Sequence, residues 1–204
     1  MPMSAESPPP LLQIVTERLR PGARDAYGAI EEDLLHACRT LNAPNRYLAL
    51  VSIDQPTEVW WLNMYGSYDE VDRVAQAYAS NTTLMTALHE LGTKKSGLTE
   101  PPIDVMTSWL GDLSGHEAWQ IGELKFAVVR ELPAPAASPG AVFQWPDGRA
   151  CSLIAAPDLE DAKQQAIRLG AGARIFEVEP RWSLPKDTWV WRNPTLWSPA
   201  TPST

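Results

Sequence analysis

The stretch Glu58–Tyr65, EVWWLNMY, sets two tryptophans side by side at positions 60 and 61. Its aromatic and β-branched content reads as a β-strand. Successive side chains on a strand point to opposite faces. Glu58, Trp60, Leu62 and Met64 therefore share one face, and Val59, Trp61, Asn63 and Tyr65 share the other. Each buried indole removes roughly 150–250 Å² from water, a gross gain of about 4–6 kcal/mol at ~25 cal/mol/Å². A sheet built on this strand must be covered on both sides.

The neighbouring sequence supplies one cover. Leu11–Arg20 alternates as a strand and is broken by Pro21-Gly22. From Ala23 to Leu41, the apolar positions Tyr27, Ile30, Leu34, Ala37, Cys38 and Leu41 form one stripe of a helix. Arg46–Ile53 is a nearly continuous apolar strand that pairs with Glu58–Tyr65 as a hairpin. Ser67 and Glu70 form a capping box for a second helix, expected to run toward Leu91 with a bend near Ala79–Thr83. The segment from Lys94 to Pro102 reads as a loop, and Ile103–Leu110 as a fourth strand. The order β-α-β-β-α-β is the ferredoxin-like arrangement, an antiparallel sheet with its helices on one face.

The remaining chain supplies the second cover. Strands are expected at Leu124–Glu131, Ala141–Trp145 and Arg149–Ala156, the last two joined by a turn at Pro146-Asp147-Gly148. A helix starting at Asp158 carries the stripe Leu159, Ala162, Ala166 and Leu169 and stops at Gly170, and a strand follows from Ala173. This β-β-β-α-β order is the first half with its first helix replaced by a Pro/Ala-rich linker. The expected class is α+β: a ferredoxin-like half, then a degenerate second copy, with the two sheets face to face as an α/β barrel. The corresponding division is a disordered segment 1–10, a first half 11–112, a linker 113–123, a second half 124–192 and a tail 193–204. Closure within one chain explains the second half; closure between two chains of a homodimer is the alternative. In the tail, Trp189 and Trp191 are placed on one side of an extended segment.

Composition narrows the function. The net charge is −8, from 17 basic and 25 acidic residues, which argues against partners such as nucleic acid or anionic lipid. No apolar run nears the ~20 residues that span a bilayer, and no secretory signal opens the chain. A cytoplasmic location is expected, with Cys38 and Cys151 as free buried thiols. No His/Cys/Asp/Glu cluster has metal-ligand spacing, and no phosphate-cradling glycine motif is present. No cofactor is therefore expected.

Element order, the aromatic third strand EVWWLNMY and the strand-to-helix step YGSYDEVDRV at Tyr65–Val74 together resemble the dimeric α/β-barrel superfamily. That superfamily includes the antibiotic-biosynthesis monooxygenase-like, EthD-like and NIPSNAP-like families, and the step after the third strand looks most like the NIPSNAP-like branch. The resemblance covers Leu11–Leu110 and implies a ligand pocket inside the barrel or between sheet and helices.

The mixed face of the third strand offers the candidate site. Trp61, Asn63 and Tyr65, with Gln13 and Glu17 from the matching face of the first strand, combine aromatic surface with polar tips, as ligand pockets do. The bland alternative is that Asn63 and Tyr65 only satisfy local hydrogen bonds. His36 falls off the first helix's stripe and His116 in a loop. His89 faces the sheet if the second helix is continuous, as an acid–base group, a haem ligand or a hydrogen-bonded core residue. By resemblance, some haem-degrading members place an Asn, a Trp and a His on the first strand, third strand and second helix; this chain has Trp61 and His89, with Gln13 in place of the Asn. Three readings follow: binding or transformation of a small apolar or aromatic molecule without a metal, a non-catalytic NIPSNAP-like interaction module, and haem handling.

Overall fold

The computed structural model describes residues 8–115 and 124–197. His116, most of the expected linker and both chain ends lie outside the described residues. The first half comprises β1 (Leu11–Arg18), α1 (Arg24–Thr40), β2 (Tyr47–Ser52), β3 (Glu58–Tyr65), α2 (Tyr68–Ser80), α3 (Thr82–Ser96) and β4 (Ile103–Trp109). The second comprises β5 (Phe126–Leu132), β6 (Ala141–Gln144), β7 (Ala150–Ala156), α4 (Leu159–Leu169) and β8 (Ala173–Val178), followed by the short helices α5 (Asp187–Arg192) and α6 (Pro194–Trp197).

The strands form one closed antiparallel barrel in the order β1-β3-β2-β8-β5-β7-β6-β4. The first half contributes β4-β1-β3-β2 and the second β8-β5-β7-β6. Counted within each half, both runs are fourth-first-third-second, so the second half repeats the first in topology. The seams are β2 against β8 and β4 against β6. The chain closes its own barrel, and the second half is the cover that the Trp60 face requires.

An eight-stranded barrel has an interior that side chains just fill. Leu12, Ile14, Leu50, Trp60 and Leu62 meet Phe143, Leu153 and Phe176 there. The rings of Trp60 and Phe176 are tilted, with centroids 5.1 Å apart. The indole N–H of Trp60 donates to Glu58 Oε1 at 2.7 Å, and Arg174 donates to both oxygens of Glu58 at 2.7 Å. Arg174 also donates to Glu131 at 2.6 Å. This network pairs the buried Glu58 carboxylate and the Trp60 indole N–H at one barrel end.

The tail differs from expectation. It is helical, and a helix turns about 200° over two residues, so Trp189 and Trp191 point in opposite directions. Trp189 and Trp197 join the barrel core, while Trp191 is 70% exposed.

The opposite face of β1–β3 is covered by α1 and α3. The second helix of the sequence reading is two helices, broken at Asn81. Its side-chain oxygen accepts from Leu84 N at 3.1 Å and caps α3, and its Nδ2 donates to Leu41 O at 2.9 Å. The second helix also runs past Gly92, so Lys94 and Lys95, read as loop, lie in the last turn of α3. Smaller signals fall where their chemistry places them. Gly148 sits at φ +88° in the β6–β7 turn, Asp158 accepts from Asp161 N at 2.9 Å to start α4, and Gly170 ends it at φ +86°. Leu159, assigned to the stripe of α4, is exposed; Ala162 and Leu169 are buried. Among the described residues, no helix is long and apolar enough to cross a membrane.

Candidate functional site

Strand alternation sends Val15 and Glu17 of β1 and Trp61 and Asn63 of β3 toward the helices, while Trp60 enters the barrel. The register sets Val15 opposite Trp61, Gln13 opposite Asn63, and Tyr47 of β2 opposite Asn63 on its other side. Over them lies α1, whose buried positions are Tyr27, Glu31, Leu35 and Cys38. The spacing of four, four and three residues is one helical stripe, and it contains a glutamate.

Between sheet and helices is a cavity of about 450 Å³, within the size range of small-molecule pockets. Val15, Trp61, Leu34 and Leu88 give it apolar walls. To one side of the Val15–Trp61 pair lie Glu17, Glu31 and Lys95; to the other lie Asn45, Asn63 and Tyr78.

Glu17 and Glu31 are 5% and 4% exposed. They share one ammonium: Lys95 Nζ lies 2.8 Å from Glu17 Oε1 and 2.7 Å from Glu31 Oε1. Trp61 Nε1 donates to Glu17 Oε2 at 3.0 Å, and the Tyr27 hydroxyl donates to the same oxygen. Lys95 also stands 5.3 Å from the Tyr27 ring centroid and 5.5 Å from that of Trp61, within cation–π range. The cluster holds two carboxyl groups and one amine. Burial raises the pKa of Glu31, against the opposing pull of Lys95. Burial disfavours the charge on Lys95, but Glu31 and Glu17 outweigh it and its pKa is raised. Burial, reinforced by the carboxylates, holds the Tyr27 phenol neutral far above its ordinary range. Glu31 is thus the cavity group whose protonation is displaced toward neutral pH.

The other side is a neutral network. Asn45 Nδ2 donates to Asn63 Oδ1 at 2.8 Å, and Tyr78 OH donates to Asn45 Oδ1 at 2.5 Å. Burial raises the Tyr78 and Tyr47 phenols. Burial also raises the Cys38 thiol, partly offset by a hydrogen bond from Tyr47, so its reactive thiolate is disfavoured.

Of the six residues singled out in the sequence, Glu17, Trp61 and Asn63 line the cavity. Gln13 and Tyr65 lie beside it: Gln13 Nε2 donates to both oxygens of Asp104 at 2.9 Å, and Tyr65 OH donates to Gln13 at 3.4 Å. His89 is on the exposed side of α3, because the break at Asn81 resets the helical phase so that Leu84, Leu88 and Lys95 face inward. It is not among the residues that line this cavity. Glu31 and Lys95 were not singled out. Glu31 had a readable signal, since it falls four residues after Tyr27 and seven before Cys38 on the apolar stripe. Among the described residues, no group of three or more His, Cys, Asp or Glu could hold a metal ion.

No family model and no curated protein matches the sequence. Among solved structures, the chain is similar to a candidate monooxygenase from Lactobacillus acidophilus, at 7% identity and TM-score 0.48 over 91% of this chain and 88% of that one. It is also similar to a candidate antibiotic biosynthesis monooxygenase from Nitrosomonas europaea, at 17% identity and TM-score 0.36 over 52% of this chain and 96% of that one. A third is an anthrone oxidase-like protein, at 11% identity and TM-score 0.44 over 83% of this chain and 92% of that one. At these identities and TM-scores, no statement about ligand or reaction in this chain follows from them.

Proposed function

We propose that this protein binds a small, largely aromatic molecule in the cavity between β1–β3 and the helices, and that Glu31 exchanges a proton with it. The observation that carries the reading is a buried carboxyl of raised pKa in the same cavity as Trp61, where Val15, Leu34 and Leu88 add apolar wall and Asn63 and Tyr78 polar tips. Trp61 and Leu34 offer ring and aliphatic surface to the body of the ligand. Asn63 and Tyr78 offer hydrogen bonds to a polar tip. Lys95 is hydrogen-bonded to both carboxylates and tunes them; the ligand needs no metal in this scheme.

The test is binding of small phenols and naphthols, followed by titration calorimetry and by native mass spectrometry for retained molecules. Leu34→Trp fills the cavity from α1. It is expected to abolish binding while leaving the melting temperature within about 3 °C, since it fills a void and removes no interaction. For a ligand whose hydroxyl donates to ionised Glu31, affinity falls as pH drops through the raised Glu31 pKa. Glu31→Gln flattens that profile. Binding that survives Leu34→Trp, or a pH profile indifferent to Glu31→Gln, contradicts the reading.

An interaction module is the second reading. The observation favouring it is Trp191, exposed on α5 beside a half-exposed Val190. If that surface mediates self-association, Trp191→Ser lowers the weight-average mass seen by sedimentation at high concentration.

A further inference from the structure

A second, larger cleft lies away from the cavity, where α1, the ends of β5 and β8, and α6 meet. Its volume is about 750 Å³. Leu35, Leu196 and Trp197 form its apolar wall. Three strong cations line it: Arg39, Lys125 and Arg181. Arg181 is neutralised locally, at 2.9 Å from Glu179 and 3.3 Å from Glu32. Arg39 and Lys125 are exposed and make no ion pair among the described residues. His36 sits on the same face of α1, three residues before Arg39.

This placement is unusual for the molecule. A chain of net charge −8 repels anions over most of its surface. Two cations without carboxylate partners among the described residues, set against an apolar wall in a concave site, suit a ligand with one anionic end and one apolar body. An anion there gains Coulomb attraction from both side chains, and the wall takes its hydrocarbon out of water. Among the described residues a dication finds no free carboxylate pair in the cleft, because Glu32 and Glu179 are engaged by Arg181. A neutral ligand leaves both cations unused.

We propose that this cleft is a binding site for an amphipathic organic anion, an aromatic or aliphatic carboxylate or sulfonate, distinct from the cavity under α1 and α3.

The 204-residue chain is titrated with 8-anilinonaphthalene-1-sulfonate, followed by its fluorescence. N-phenyl-1-naphthylamine, the same ring body without the anion, is the control. The sulfonate is expected to bind saturably, and to weaken with added salt as screening sets in over about 8–10 Å. Arg39→Glu with Lys125→Glu weakens it about tenfold or more, as expected for removing and reversing two exposed charges. Both side chains are exposed, so the double variant keeps the wild-type melting temperature; the neutral probe reports any general change in apolar surface. Leu34→Trp, which closes the other cavity, leaves sulfonate binding unchanged. Three results overturn the proposal: no saturable binding to the wild-type chain, binding indifferent to the double charge reversal, or binding lost in Leu34→Trp.

Discussion

Replacing Lys95 with methionine lowers the stability of the fold by about 3–5 kcal/mol at neutral pH, the cost of leaving buried charge without its partner. The size follows from the arrangement. Glu17 and Glu31 are nearly fully buried and their shared counter-ion is Lys95. Methionine fills the stem's volume but supplies neither charge nor donor. The pH dependence has a definite sign. Burial already raises Glu31 above its ordinary value in the native protein, and Lys95 pulls it back down. Without Lys95 it rises further. Between the ordinary glutamate value and the raised native one, the native chain then binds more protons than the unfolded chain. Stability therefore falls as pH rises through that window. The deficit of the variant is largest above the window and shrinks toward acid pH. Urea unfolding at neutral and at mildly acid pH measures it. Adding Glu17→Gln and Glu31→Gln to Lys95→Met restores most of the lost stability. A deficit that is the same at both pH values means that the carboxylates are not the cause.

The second large effect is on the other side of the same strand. Trp60→Ala costs about 3–5 kcal/mol, the range for deleting a large buried aromatic. Trp60 fills the barrel beside Phe176, donates to Glu58, and carries Arg174 5.4 Å from its ring centroid. Deleting it opens a void with no route to collapse, since strands from both halves surround it. Trp61→Ala is expected to be at least about 1 kcal/mol milder, because that ring already borders open volume. Its signature is loss of ligand binding. Chemical denaturation of the two variants side by side separates the layers. If Trp61→Ala proves the more destabilising, the barrel interior is not the filled core described.

Why the fold was readable and part of the site was not comes down to particular residues. Trp60 and Trp61 are adjacent on a strand, so both faces had to be covered, and a second copy of the same strand order was present to do it. Glu17, Trp61 and Asn63 were legible because period-two alternation is rigid. Helical phase is less forgiving. Asn81-Thr82-Thr83 reads as a dip in propensity, yet Asn81 is a cap that ends one helix and starts another, and His89 leaves the sheet face as a result. Glu31 and Lys95 are charged, and charge on a helix is ordinarily solvated; here Glu31 is buried and Lys95 partly buried, paired with each other and with Glu17. That partnership spans α1 and α3 and leaves no trace in either segment alone. The tail WVW, Trp189–Trp191, alternates like a strand, but tertiary packing of Trp189 and Trp197 onto the barrel core overrides local propensity.

The central claim is that one chain closes its own barrel, fills the interior, and leaves its ligand cavity on the helix side of β3. The seam between β2 and β8 tests it most directly. Ile53 N donates to Ile175 O at 3.0 Å, and Leu50 pairs with Val178 in the same register. Three residues from a hydrogen-bonded pair is a non-hydrogen-bonded one, where the two Hα atoms are in closest approach. A strong Hα–Hα nuclear Overhauser effect between Leu50 and Val178 is predicted, undiminished when labelled chains are diluted into a large excess of unlabelled ones. Its absence, or its loss on dilution, would show that the halves pair otherwise or between molecules.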